Sequence, residues 1–123
     1  MRITAKFATT AVSLAALFAG TSMLPATAGA ADADHLKKGK EVAFDRRKGN
    51  CLGCHMMDDG ASPGDIGPPL IAMKARFPDR AKLRAQIWDP TVANPHSIML
   101  PFGKHQVLSE AEIDAVVDYL YTL

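Results

Sequence analysis

The residues best placed to do chemistry are Cys51 and Cys54 with His55, in the run Cys51-Leu52-Gly53-Cys54-His55. Two thiols at this spacing reach the two vinyl groups on one haem edge, and the imidazole that follows projects onto the iron. C-x-x-C-H is therefore the pattern of covalent haem attachment, with His55 as first axial ligand. Three other chemistries use similar residues. A disulfide in an oxidising compartment closes only a tiny loop here and leaves His55 without a role. A thioredoxin-like redox pair needs a βαβ context, which the hydrophobic pattern lacks. A zinc site needs four ligands, and the chain has only two cysteines to begin one.

An electron-transfer haem also needs a ligand opposite the histidine. Met56, Met57, Met73, Met99, His96 and His105 are the candidates. Met56 and Met57 adjoin His55 and cannot reach round a haem. Met73 falls on an apolar stripe with Leu70 and Phe77 and reads as core packing. Met99 lies 44 residues after His55, within the proline-rich stretch Asn94-Pro95-His96-Ser97-Ile98-Met99-Leu100-Pro101-Phe102-Gly103. A stiff, irregular loop suits a ligand presented from outside a helix, so Met99 is the expected sixth ligand. Ordinary loop packing is its alternative role, and His96 and His105 are fallback ligands.

A ligand histidine is usually oriented by a hydrogen bond from its other ring nitrogen. Gly67-Pro68-Pro69-Leu70 is the expected source, with the Pro68 carbonyl directed at His55 Nδ1, because proline holds its backbone stiffly. Trp88 reads equally as core or as cover for a haem edge, and Tyr119 and Tyr121 are ambiguous in the same way. No serine, carboxylate pair or further cysteine is arranged for acid–base or nucleophilic work, so no catalytic residue is assigned.

Helices and loops must position these groups. Leu36, Val42, Ala43 and Phe44 among charged residues predict a short helix over His35–Phe44, in which Gly39 costs about 1 kcal/mol against Ala unless it admits a close neighbour. Asp58 to Pro69 is rich in Gly, Pro and Asp and reads as a loop. Leu70, Met73 and Phe77 predict a helix that Pro68 or Pro69 opens and Pro78 ends. Asp79 is an expected N-cap for a helix running to Trp88. Asp89 to Gly103 is a second long loop, and such loops in small domains are usually functional. Ser109 with Glu112 forms a capping box, and Leu108 with Ile113 a hydrophobic staple, at the start of a helix whose apolar stripe is Ile113, Val116, Val117 and Leu120. No alternating strand pattern appears. The fold class is all-α.

At the N-terminus, Arg2 and Lys6 precede an apolar run from Phe7 to Phe18 and small residues ending Ala28-Gly29-Ala30. Residues 1–30 read as a cleaved signal peptide, too short in its apolar run for a membrane span, which puts the mature chain in the periplasm; an uncleaved anchor, or cleavage after Ala28, is the alternative. Cleavage after Ala30 leaves residues 31–123 as one domain of 93 residues, whose core is marginal unless a metal, disulfide or cofactor adds to it; a covalently held haem would supply that centre. Without Arg2 and Lys6, twelve basic residues face thirteen acidic ones, a balance that gives no reason to expect a nucleic-acid partner. The charges are segregated, however. Basic residues flank the cysteine motif, from Lys37 to Lys48 and from Lys74 to Arg84, while Glu110, Glu112, Asp114 and Asp118 crowd the C-terminus. The runs read as solvated helix faces, or alternatively as a docking or propionate-facing rim.

Gly39 and Phe44 in an N-terminal helix, C-x-x-C-H, Gly67-Pro68-x-Leu70, a late loop methionine and a C-terminal helix resemble the class I cytochrome c family over nearly the whole mature chain. Within it, Gly49-Asn50-Cys51, Gly64 to Leu70, Arg76-Phe77-Pro78-Asp79, Ile87-Trp88-Asp89, Asn94-Pro95 and Met99 to Gly103 are similar to the SoxX family, the small haem subunits of SoxAX complexes in bacterial thiosulfate oxidation. Leu100 stands where that family more often has a second proline. The resemblance implies one covalent haem c, a heterodimer with a larger SoxA-type haem subunit, and transient contact with a SoxYZ-type carrier protein and a soluble cytochrome acceptor. It implies L-cysteine S-thiosulfotransferase activity for the complex, with the catalytic haem on the partner subunit. A free diffusible periplasmic electron carrier is the alternative expectation, and a haem sensor would require a displaceable sixth ligand.

Overall fold

The computed structural model describes the chain from Ala28 to Leu123. Its elements are α1 (Ala28–Phe44), a 3-10 turn at Cys51–Gly53, and α2 (Met73–Arg76), α3 (Arg80–Trp88) and α4 (Glu110–Leu120), with no strand among the described residues. The expected leader lies outside the described residues except for Ala28–Ala30, which form the first turn of α1. This helix begins well before the expected His35, because Ala30, Ala31 and Ala33 are strong helix formers that extend it backwards.

α4 starts as expected. The Ser109 side chain accepts from the Glu112 N–H while Glu112 accepts from the Ser109 N–H, satisfying two donors that a helix N-terminus otherwise leaves free. Leu108 and Ile113 are both buried in the core. In α3, Asp79 caps the N-terminus by accepting from Ala81 N–H at 2.9 Å.

The helix expected from Leu70 to Phe77 is reduced to a single turn. Leu70 N–H donates to the Met56 carbonyl at 2.8 Å, and Ala72 adopts a left-handed conformation with φ of 49°, so helical geometry starts only at Met73. The N–H of Met73 then donates to the carbonyl of Leu123, tying this turn to the chain end.

α1 and α4 pack against each other, and Val42, Ala43, Ile113, Val116, Val117 and Leu120 are all buried in the core around them. Phe44 meets the Tyr119 ring edge-on, with centroids 6.4 Å apart. α3 is fastened to α4 by charge: Arg80 Nε donates to Asp118 at 2.7 Å and Arg84 Nε to Asp114 at 2.9 Å, while His35 of α1 reaches Asp118 at 3.0 Å. Lys48 pairs with Glu112 and Lys40 with Asp58 and Asp59. Much of the charge segregation along the sequence is therefore intramolecular pairing, with residues from both basic runs closing on the acidic C-terminal helix.

Candidate functional site

Two thiols and an imidazole need a common face, and the backbone after α1 supplies it. Gly49 N–H donates to the Val42 carbonyl and Asn50 N–H to the Asp45 carbonyl, turning the chain back beneath α1. Asn50 is left-handed, with φ of 44°, and starts the 3-10 turn. Cys54 N–H and His55 N–H both donate to the Cys51 carbonyl, at 3.1 and 2.9 Å. One helical turn thus places Cys51, Cys54 and His55 on one side.

The following loop is stitched back onto this turn. Gly64 N–H donates to the Leu52 carbonyl, Gly67 N–H to the Cys54 carbonyl and Leu70 N–H to the Met56 carbonyl, all at 2.8 to 2.9 Å. His55 Nδ1 lies 2.7 Å from the Pro68 carbonyl oxygen and donates to it, which leaves Nε2 as the ring's free donor atom toward a metal. Gly67 lies flat against the same ring, and a Cβ there would stand 2.3 Å from Cε1. Arg76 fixes the outer side of this loop by donating to the Pro69 carbonyl at 2.6 Å.

Met99 is delivered by the second loop, which side chains rather than a helix hold in shape. Asn94 Oδ1 accepts from His96 N–H at 3.0 Å, and Ser97 Oγ accepts from Met99 N–H at 3.2 Å. Such side-chain turns explain why the stretch has no helical period and still has a defined course. Sequence reasoning gave neither Asn94 nor Ser97 a part in shaping the loop, although Asn94-Pro95 is a turn signal.

Cys51, Cys54, His55, Pro68 and Met99 line one cavity of about 780 Å³, within the range of roughly 300–1,000 Å³ typical of cofactor sites. Much of its wall is apolar, from Leu70, Met73, Leu83, Ile87 and Leu108 among others. Met73 is a buried wall residue, and His96 lies on the lining while His105 and Trp88 do not. Tyr119 hydrogen-bonds Asp58 and Tyr121 the Phe77 carbonyl, so neither phenol faces the cavity.

The donor set fits an iron porphyrin better than a bare ion. Among the described residues no three His, Cys, Asp or Glu side chains come together as a metal site. Cys51 and Cys54 are free thiols, and burial pushes the Cys51 thiol up to about 11, the opposite of the lowered value that a reactive redox pair requires. A large apolar cavity beside paired thiols and an imidazole with Nε2 free matches a flat apolar macrocycle bonded through sulfur.

A small all-α domain built round such a cavity is a cytochrome c domain. Comparison with protein families agrees: the family described as cytochrome C oxidase, cbb3-type, subunit III matches residues 34–120, and the chain belongs to that family. An uncharacterized lipoprotein of Aquifex aeolicus (strain VF5) is 36% identical over 76 residues, which cover 61% of this chain and 37% of the relative. The domain is thus of the cytochrome c type, which carries covalently bound haem c for electron transfer and typically works outside the cytoplasm. Among the described residues no helix is long and apolar enough to cross a membrane.

Proposed function

We propose that this chain is the electron-accepting monohaem subunit of a periplasmic complex of the SoxAX type, with thioethers at Cys51 and Cys54 and with His55 and Met99 as axial ligands. The haem supplies reversible one-electron chemistry, and a His/Met pair tends to raise its potential, as suits an acceptor. Pro68 fixes the His55 ring, and Ser97 holds the backbone of Met99. In the proposed reaction a carrier-protein thiol and thiosulfate join as a cysteine S-thiosulfonate, releasing one proton and two electrons. The electrons pass singly through this chain to a soluble cytochrome.

The observation that carries this reading over a free electron carrier is the apolar mouth of the cavity. Ile66, Ile98 and Leu100 line it and yet are 63%, 81% and 45% exposed. A persistent subunit interface has an apolar centre and buries more than about 1,000 Å² in total, whereas a transient electron-transfer encounter is small. The larger SoxA-type haem subunit is the partner proposed to cover this rim.

The test is affinity purification of the tagged chain from its native periplasm, followed by a haem-stained gel and a thiosulfate-dependent cytochrome-reduction assay with added carrier protein. Recovery of a larger haem protein with activity is expected, and Ile66→Asp with Ile98→Asp should lose that partner while keeping the haem spectrum. A lone, reducible but inactive haem protein would instead identify a free electron carrier.

A further inference from the structure

The loop from Asp89 to Lys104 leaves α3 and returns to the same point. Phe102 N–H donates to the Ile87 carbonyl, and the N–H groups of Gly103 and Lys104 both donate to the Trp88 carbonyl, each at 3.2 Å. The returning limb thereby satisfies carbonyls that the end of a helix leaves free. Beside them, Lys104 Nζ donates to Asp89 Oδ2 at 2.7 Å. The other oxygen of Asp89 accepts from Thr91 N–H at 3.0 Å and from the Thr91 hydroxyl. At 8% exposure, Asp89 is the one charged residue buried among the described residues.

A carboxylate in that position is costly unless it is paired and fully hydrogen-bonded, and both conditions are met. One side chain closes the base of the loop through Lys104 and shapes its first turn through Thr91. Between those ends the turns rest on Asn94 and Ser97, so the base limits how far the loop can open. Fixing the ends of a loop lowers the entropy that its tip must lose on binding anything.

We propose that Asp89 and Lys104 are a positioning pair that holds the loop in the shape in which the Met99 thioether can bind iron. This rests on the axial role given to Met99 above. Neither side chain lines the cavity, so both act through the loop.

Imidazole added to the oxidised holoprotein competes with Met99 for the iron, and its apparent dissociation constant reads how firmly the thioether is presented. Asp89→Asn and Lys104→Met are each expected to tighten imidazole binding about tenfold, equivalent to about 1.4 kcal/mol. Both should weaken the methionine–iron charge-transfer band, and Lys104→Arg should restore the parent values. Lys104 is 55% exposed at its side chain, so Lys104→Met carries the test if Asp89→Asn fails to fold. Tyr119→Phe loses a different contact, the 3.1 Å bond to Asp58, and controls for general loss of stability. Parent-like imidazole affinity in Lys104→Met, or an equal shift in Tyr119→Phe, would overturn the positioning role while leaving Met99 as ligand. A parent spectrum without the methionine band, unchanged by Met99→Ala, would remove the ligand assignment and this inference together.

Discussion

Gly39 of α1 lies directly on the Ala115 carbonyl of α4, so close that a Cβ at position 39 would stand 2.0 Å from that oxygen and 2.8 Å from the Tyr119 Cβ. The glycine that weakens α1 by propensity is therefore what allows α1 and α4 to meet. Backbone cannot yield as a flexible side chain can, so Gly39→Ala must push the helices apart. We expect a loss of at least about 1–3 kcal/mol from overpacking, despite the better helix former. Denaturant unfolding of the holoprotein checks this, and a variant as stable as the parent would refute it.

Gly67 has the same relation to a side chain. Its added methyl would meet His55 at Cε1, Nδ1 and Nε2, all within 3 Å. Gly67→Ala is expected to leave the thioether links intact, because Cys51 and Cys54 are untouched, but to turn the ring off the Pro68 carbonyl. Absorption and electron paramagnetic resonance spectra of the variant should report disturbed axial ligation. A parent-like spectrum would mean the loop yields instead.

How much of this was legible in the sequence depends on the range of the forces involved. The caps at Asp79 and Ser109 and the stripe of α4 are local, and they stand where spacing and residue type placed them. The start of α1 and the shortening of α2 were not legible. The first depends on propagation through weakly patterned alanines, the second on Leu70 bonding to Met56 across a loop. At the site, C-x-x-C-H and Gly67-Pro68 could be read because the chemistry dictates the spacing. Asp89 could not, since its partner Lys104 is fifteen residues away and burial is a tertiary property.

Met99→Ala removes the thioether while leaving the covalent attachment. The expected product keeps its haem on a denaturing gel but loses the low-spin methionine signature. His96 lines the same cavity, so His96→Ala in parallel tests the fallback ligand and is expected to leave the spectrum unchanged. If Met99→Ala kept the parent spectrum, the ligand would have to be sought elsewhere on the lining.

Cys51→Ala combined with Cys54→Ala removes both attachment points. Without its occupant, the apolar cavity of about 780 Å³ would open the centre of a domain that is already small. The double variant should therefore emerge as apoprotein, largely unfolded by far-ultraviolet circular dichroism. A well-folded, haem-free product would count against the cofactor as the centre of the core.

Acid should act through Glu112, which joins the capping box of α4 to Lys48 beside the cysteine motif. Lys48 first, and then the Ser109 N–H, lower its carboxyl from an ordinary 4.5 to about 2. A group whose folded value is depressed contributes stability that is complete above its unfolded value and lost as pH falls through the folded one. That contribution should be constant from neutrality down to just above pH 4.5 and fade between 4.5 and about 2. Asp58, Asp89 and Asp118 are also lowered and add to the acid sensitivity of the parent, so the informative quantity is a difference. Subtracting the unfolding free energy of Glu112→Gln from that of the parent across pH should give a plateau that declines within this window. The same subtraction in a Lys48→Met background should give a smaller plateau, because the first of the two causes is then gone.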